Sequence, residues 1–176
     1  MRKISKQQKL LLFVCTGNTC RSPLAQVMAA AQLAQADLSD WRVASAGLAA
    51  LKGMSASKHA LTVANALQLD LSVHQSQPFT AALAAQADLI LVMTDTHQES
   101  ILQQQPQLKG KVSTIREFSG STGNVQDPFG GTAAEYLATA QELESLLQTI
   151  VKKLAAAGVK KQDEGKQSRI NQGGCL

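Results

Sequence analysis

Cys15-Thr16-Gly17-Asn18-Thr19-Cys20-Arg21-Ser22-Pro23 sets a thiol and a guanidinium in a C-x5-R arrangement on a short segment that opens a helix. These residue types suit phosphoryl chemistry. Gly17 lets the chain curl, so that successive backbone N–H groups from Thr16 to Ser22 point inward as an anion-binding nest. The helix starting at Ser22 adds the positive end of its dipole. Arg21 supplies a planar fork that grips two phosphate oxygens, which a lysine does not reproduce. At the centre of this cup, Cys15 is expected to react as a thiolate aimed at a held phosphorus.

Two other readings compete. In one, Cys15 ends a buried strand as a small hydrophobe and the loop binds a nucleotide phosphate. The segment lacks the Gly-Lys-Ser/Thr of nucleotide loops and the Gly-x-Gly-x-x-Gly of dinucleotide binding, which counts against that. In the other, Cys15-x4-Cys20 is half of a metal site, but no second pair exists, so no metal and no cofactor is expected.

The elements that must position these groups follow from the hydropathy pattern. Apolar runs at 10–14, 41–45, 88–93 and 112–115 alternate with helical patterns. That is the signature of a doubly wound α/β fold, a four-stranded parallel sheet with helices on both faces, for which the order 2-1-3-4 is expected. Ser22 is expected to cap a helix from Pro23 to about Ala36. Further helices are expected over Ala56–Leu69, Thr80–Gln86, Thr94–Gln105 and Thr132–Ala157, with Gly158 as the last stop. Residues 1–157 are thus expected to form one domain and 158–176 a flexible, polar, basic tail. Arg116 to Gly131, with four glycines, is long for a connection and is expected to be a functional loop. In such a sheet the connections after the strands emerge on one edge, so Asp127 can meet Cys15.

From Leu11 to about Leu154 the chain resembles the low-molecular-weight protein phosphatase family. The resemblance rests on Phe13 to Pro23, Ser45-Ala46-Gly47, His74 with Ser76, and Asp127-Pro128-Phe129. It implies that Cys15 is the nucleophile, Arg21 the phosphate clamp, Ser22 a thiolate stabiliser and Asp127 the general acid. It also implies that Asn18 shapes the loop through Ser45 and His74. The chemistry agrees: after Cys15 attacks, the leaving group needs a proton, and the phosphocysteine then needs a base to activate water. One carboxylate does both in turn.

Thr19, followed by Cys20-Arg21-Ser22, together with Asp127-Pro128-Phe129-Gly130-Gly131, is similar to the protein arginine phosphatases of this family. Its tyrosine phosphatases usually carry an aliphatic residue in place of Thr19 and paired aromatics after Asp-Pro. For phosphoarginine, Asp127 would pair with the guanidinium and Phe129 would pack on its plane. Tyrosine phosphatase activity is the nearest alternative. An arsenate reductase would need mid-chain cysteines that are absent here, and a non-catalytic phosphate-binding module would need the loop but not Asp127.

Composition narrows the setting. At 176 residues, 44% hydrophobic and 17% charged, the chain has the makings of a folded domain with an aliphatic core. The net charge of +4 sits at the ends, since residues 10–151 hold 7 basic and 11 acidic side chains, a net −4. No nucleic-acid partner is expected from that distribution, and no membrane partner from runs as short as Leu10–Val14. Three cysteines form no disulfide framework, so a reducing compartment, the cytoplasm, is expected, with phosphorylated proteins as substrates.

Overall fold

The run Lys9-Leu10-Leu11-Leu12-Phe13-Val14-Cys15 has no polar alternation because both of its faces are covered, which marks a central parallel strand. The computed structural model describes residues 8–171, with side chains through Gly158. In it β1 (Lys9–Cys15) pairs in parallel with β2 (Trp41–Gly47) on one side and β3 (Leu89–Val92) on the other, and β4 (Val112–Thr114) pairs with β3. The order is β2-β1-β3-β4, the expected 2-1-3-4.

Leu11 and Phe13 face α1 (Arg21–Gln35), α2 (Lys58–Ala66) and α6 (Ala133–Asn171), packing with Leu24, Met28, Val63, Leu143 and Leu147. Leu10, Leu12 and Val14 face the other way, with Ala84 of α3 (Ala81–Gln86), Ile101 of α4 (Asp95–Gln104), Ile90 and Val92. Helices therefore cover both faces. Thr80 and Thr94 cap α3 and α4 by accepting from Leu83 N at 3.2 Å and His97 N at 3.2 Å.

Four expectations are corrected. α1 begins at Arg21 with Cys20 at its N-cap, so Ser22 lies inside the first turn and its hydroxyl serves the site instead of capping. The expected 56–69 helix is the shorter α2, because Ser57 caps it and the chain turns left-handed at Gln68, with φ 59°. The 116–131 connection is not all loop: Thr114 and Glu117 form a reciprocal capping box that starts α5 (Ile115–Ser119). Finally, α6 does not stop at Gly158 but continues to Asn171. A glycine inside a helix costs only about 1 kcal/mol relative to alanine, and its alanine and lysine neighbours favour helix. Cys175 lies outside the described residues.

The strand order reverses between β1 and β3, so the connections leaving their C-terminal ends diverge and open a crevice. The loop after β1 lies at that crevice.

Candidate active site

The turn from β1 into α1 is shaped by Asn18, whose φ of 55° is left-handed. This corrects the role expected of Gly17: it has no positive φ, and a Cβ there would meet only Thr19 Oγ1 at 3.6 Å. An asparagine tolerates this conformation best when its side chain is bonded, and Asn18, fully buried, uses every polar atom of its amide. Its Nδ2 donates to Ser22 Oγ and Ser45 Oγ, both at 2.9 Å, and its Oδ1 accepts from Gln77 N at 2.9 Å. Its carbonyl oxygen can only accept, so His74 Nε2, at 2.8 Å, donates to it. The expected contacts of Asn18 with Ser45 and His74 are both present.

Cys15 is nearly buried. Its Sγ receives the Asn18 N–H at 3.3 Å and lies 3.0 Å from Ser22 Oγ. The glycine that sterics demand is Gly47 at the end of β2. A Cβ there would lie 2.5 Å from Thr16 O and 2.9 Å from Asn18 N, so any side chain would displace the loop.

Arg21 lies in the first turn of α1 and is buried. Its Nη1 donates to Val125 O at 3.1 Å and its Nη2 to Asp127 Oδ2 at 2.6 Å, while its buried Nε has no protein partner. Asp127 comes from the connection between α5 and α6. That connection is pinned across the crevice by Val125 N to Met93 O at 2.9 Å and by Asp95 N to Asn124 Oδ1 at 2.8 Å. Asp127 Oδ1 accepts from Phe129 N at 3.2 Å, which turns the chain so that Phe129 stands 74% exposed at the mouth.

Cys15, Thr16, Gly17, Thr19, Cys20, Arg21, Asp127 and Phe129 line one cavity of about 180 Å³. The three expected catalytic side chains are thus brought together, with Ser22, Asn18, Ser45 and His74 behind them. A wider groove of about 570 Å³ between α1, α2 and α6 has no cysteine, serine, threonine or histidine in its lining. Among the described residues no group of three or more His, Cys, Asp or Glu side chains is placed to hold a metal ion, and no helix is long and apolar enough to cross a membrane.

The structure adds three residues that sequence reasoning missed. His97 Nε2 lies 2.9 Å from Thr16 Oγ1, and its Nδ1 is buried without a partner. Burial, followed by the nearby Arg21 charge, pushes the His97 pKa down to about 4, only partly opposed by Asp127, so the ring is neutral at neutral pH. Tyr136 of α6 reaches under the loop, its hydroxyl 3.1 Å from Cys20 Sγ. Ser57 Oγ donates to Tyr136 at 3.2 Å, and Ser57 N donates to Thr19 O at 2.8 Å. Burial, together with the Cys20 contact, pushes the Tyr136 pKa up to about 12. Gln26, one turn beyond Ser22, accepts from Ser45 Oγ at 2.6 Å. A lone histidine, tyrosine or glutamine carries no motif; only the i, i+4 spacing of Ser22 and Gln26 hinted that they share a helix face.

Comparison with known proteins gives a consistent picture. The family described as low molecular weight phosphotyrosine protein phosphatase matches residues 10–162. The protein-arginine-phosphatase of Bacillus subtilis (strain 168) is 40% identical over 145 residues, 82% of this chain and 95% of that protein. The low molecular weight protein-tyrosine-phosphatase Ptp of Acinetobacter johnsonii is 34% identical over 145 residues, 82% and 94% of the two chains. Among solved structures, the YwlE arginine phosphatase from Geobacillus stearothermophilus superposes with a TM-score of 0.81 at 35% identity, covering 86% of this chain and 96% of that one. A mutant YwlE arginine phosphatase with a phosphorylated active site serine gives a TM-score of 0.78 at 39% identity, covering 82% and 95%.

Proposed function

The chain belongs to the low molecular weight phosphotyrosine protein phosphatase family, and we propose that it removes phosphate from arginine side chains of proteins through a phosphocysteine on Cys15. The observation that carries this reading is the convergence of Cys15, Arg21 and Asp127 on one small cavity. In the first step Cys15 Sγ attacks phosphorus and the bond to the guanidinium nitrogen breaks, with Asp127 giving that nitrogen its proton. The loop N–H groups from Thr16 to Ser22 and the Arg21 fork hold the three phosphoryl oxygens. In the second step Asp127 takes a proton from water, the water oxygen bonds to phosphorus, and the sulfur–phosphorus bond breaks to release phosphate and the thiolate. The Ser22 hydroxyl stabilises that thiolate. A phosphorylated active site serine in a mutant relative supports a covalent intermediate on the enzyme.

The choice of arginine over tyrosine is supported by a single exposed aromatic, Phe129, at the mouth, where a pocket for a phenyl ring would have more than one aromatic wall. Thr19 supplies a hydroxyl beside the cavity instead of a methyl surface. Relatives named for arginine phosphatase activity reach 40% identity. Tyrosine phosphatase activity is the second reading, supported by the relatives named for it. Asp127, held at the cavity, favours turnover over a non-catalytic binding role. The free thiols of Cys15 and Cys20 suit the cytoplasm.

Phosphate release from phosphoarginine and phosphotyrosine peptides of equal sequence tests the assignment. A higher kcat/KM for phosphoarginine is expected; a preference for phosphotyrosine overturns it.

A further inference from the structure

Around Asn18 the direction of each hydrogen bond can be worked out from what each group is able to give. The Gln77 N–H can only donate, so the atom it meets at 2.9 Å is the Asn18 carbonyl oxygen, and the two Nδ2 protons go to Ser22 Oγ and Ser45 Oγ. Both hydroxyls therefore accept from Asn18, and each has one proton left. The Ser45 proton goes to Gln26 Oε1 at 2.6 Å. The Ser22 proton has two acceptors, Cys15 Sγ at 3.0 Å and Ala46 O at 3.3 Å. A thiolate is the charged acceptor and takes it.

Gln26 closes this chain. Ser45 is 2% exposed, so without an acceptor its hydroxyl would carry an unpaired buried donor. Asn18 cannot relieve it, because Nδ2 has only protons to offer. The hydroxyl would have to turn away, releasing one Nδ2 proton and loosening the left-handed Asn18, whose N–H and side chain aim at Cys15 Sγ and Ser22. Gln26 is partly exposed and does not line the cavity; its side chain reaches the site through the hydrogen bond from Ser45.

We propose that Gln26 is a positioning residue for the nucleophile: by accepting the Ser45 hydroxyl proton it keeps Ser45 an acceptor for Asn18 and so completes the network that the Gln77 N–H orients, which leaves the Ser22 proton for Cys15. The proposal rests on Cys15 being the nucleophile. It requires an acceptor at position 26 and makes no demand on the amide N–H.

The test uses the full-length protein and an aryl phosphate substrate. Q26M keeps length and removes the acceptor; its kcat is expected to fall about tenfold, with KM within twofold, the effect of losing one hydrogen bond felt mainly after substrate has bound. Q26E keeps the acceptor and is expected to stay within twofold of the unmodified protein. Adding Q26M to S45A is expected to cost nothing beyond S45A alone, since the proton that Gln26 accepts is gone. Normal kcat in Q26M, a Q26E as slow as Q26M, or additive losses with S45A would each overturn the proposal. Q26A repeats the first arm should Q26M not fold, and a tenfold loss in Q26E is fatal whatever the others show. C15S separates the two layers: an active C15S overturns the nucleophile itself, whereas an inactive C15S beside a normal Q26M overturns only the role of Gln26.

Discussion

Arg21 Nη2 lies 2.6 Å from Asp127 Oδ2, joining the proposed phosphate clamp directly to the proposed acid across 106 positions of sequence. The same guanidinium holds Val125 O, so one side chain on α1 tethers the segment that carries the acid and still has its buried Nε free of protein partners. Arg21→Lys keeps the charge but cannot reproduce this fork. It is expected to lower kcat/KM by about ten- to a hundredfold, the worth of a charge-assisted hydrogen bond, and to raise the inhibition constant of free phosphate. Steady-state kinetics with phosphate as inhibitor measure both; an unchanged inhibition constant would show that Arg21 does not hold the anion.

Asp127→Asn removes the proton that the leaving group needs and leaves the shape of the loop nearly unchanged. Turnover of a substrate with a poor leaving group is expected to fall by about 10²–10⁴. The loss should shrink for an activated aryl phosphate, whose leaving group departs without a proton. Rates on the two substrates decide the matter, and equal losses would make Asp127 a structural partner of Arg21 only.

Thr19 Oγ1 has only a 3.6 Å contact with Cys20 Sγ, while the Thr19 carbonyl oxygen is held by Ser57 N. The hydroxyl is therefore available to the cavity that Thr19 lines. Thr19→Ile keeps the β-branch and removes that group, and should lower kcat/KM on phosphoarginine about ten- to a hundredfold. Phosphotyrosine activity should stay level or rise. A parallel fall on both substrates would mean that Thr19 supports the loop.

Phe129 offers a cleaner contrast between binding and folding. Because it is 74% exposed, Phe129→Ala should change stability by no more than about 0.5 kcal/mol yet weaken kcat/KM on a phosphoarginine peptide severalfold. Chemical denaturation and peptide kinetics on the same preparation check this; an unaffected kcat/KM would remove Phe129 from substrate recognition.

The buried, neutral His97 ties stability to pH. Its pKa is pushed down to about 4 from 6.5 for an unperturbed histidine. Between those values the unfolded chain binds a proton that the folded one refuses. Stability from this group is thus complete above pH 6.5 and drains away as pH falls toward 4. Thermal melts at pH 7 and pH 5 should show a drop in Tm that is smaller in His97→Asn. Equal drops in both proteins would sink the assignment.

How much of this was written in the chain depends on the kind of signal. Hydrophobic patterning encodes which faces are covered, so four unbroken apolar runs separated by helical ones were enough for a parallel sheet with helices on both faces. Cys15, Arg21 and the dipole of α1 lie within one short segment, so their chemistry was legible before any folding, and the glycine-rich stretch around Asp127 marked itself by its length. Single polar residues carry no such period. Which hydroxyl caps a helix and which serves a thiolate was decided when the β1 to β2 crossover laid Ser45 against Asn18, turning Ser22 from the expected cap into a partner of Cys15. The left-handed turn fell to Asn18 and not Gly17 because Asn18 found four partners from three other segments. His97, Tyr136 and Gln26 joined the site for the same reason. Hydrogen-bond partners distant in sequence are assigned by the packing of whole elements, and no local pattern records that packing.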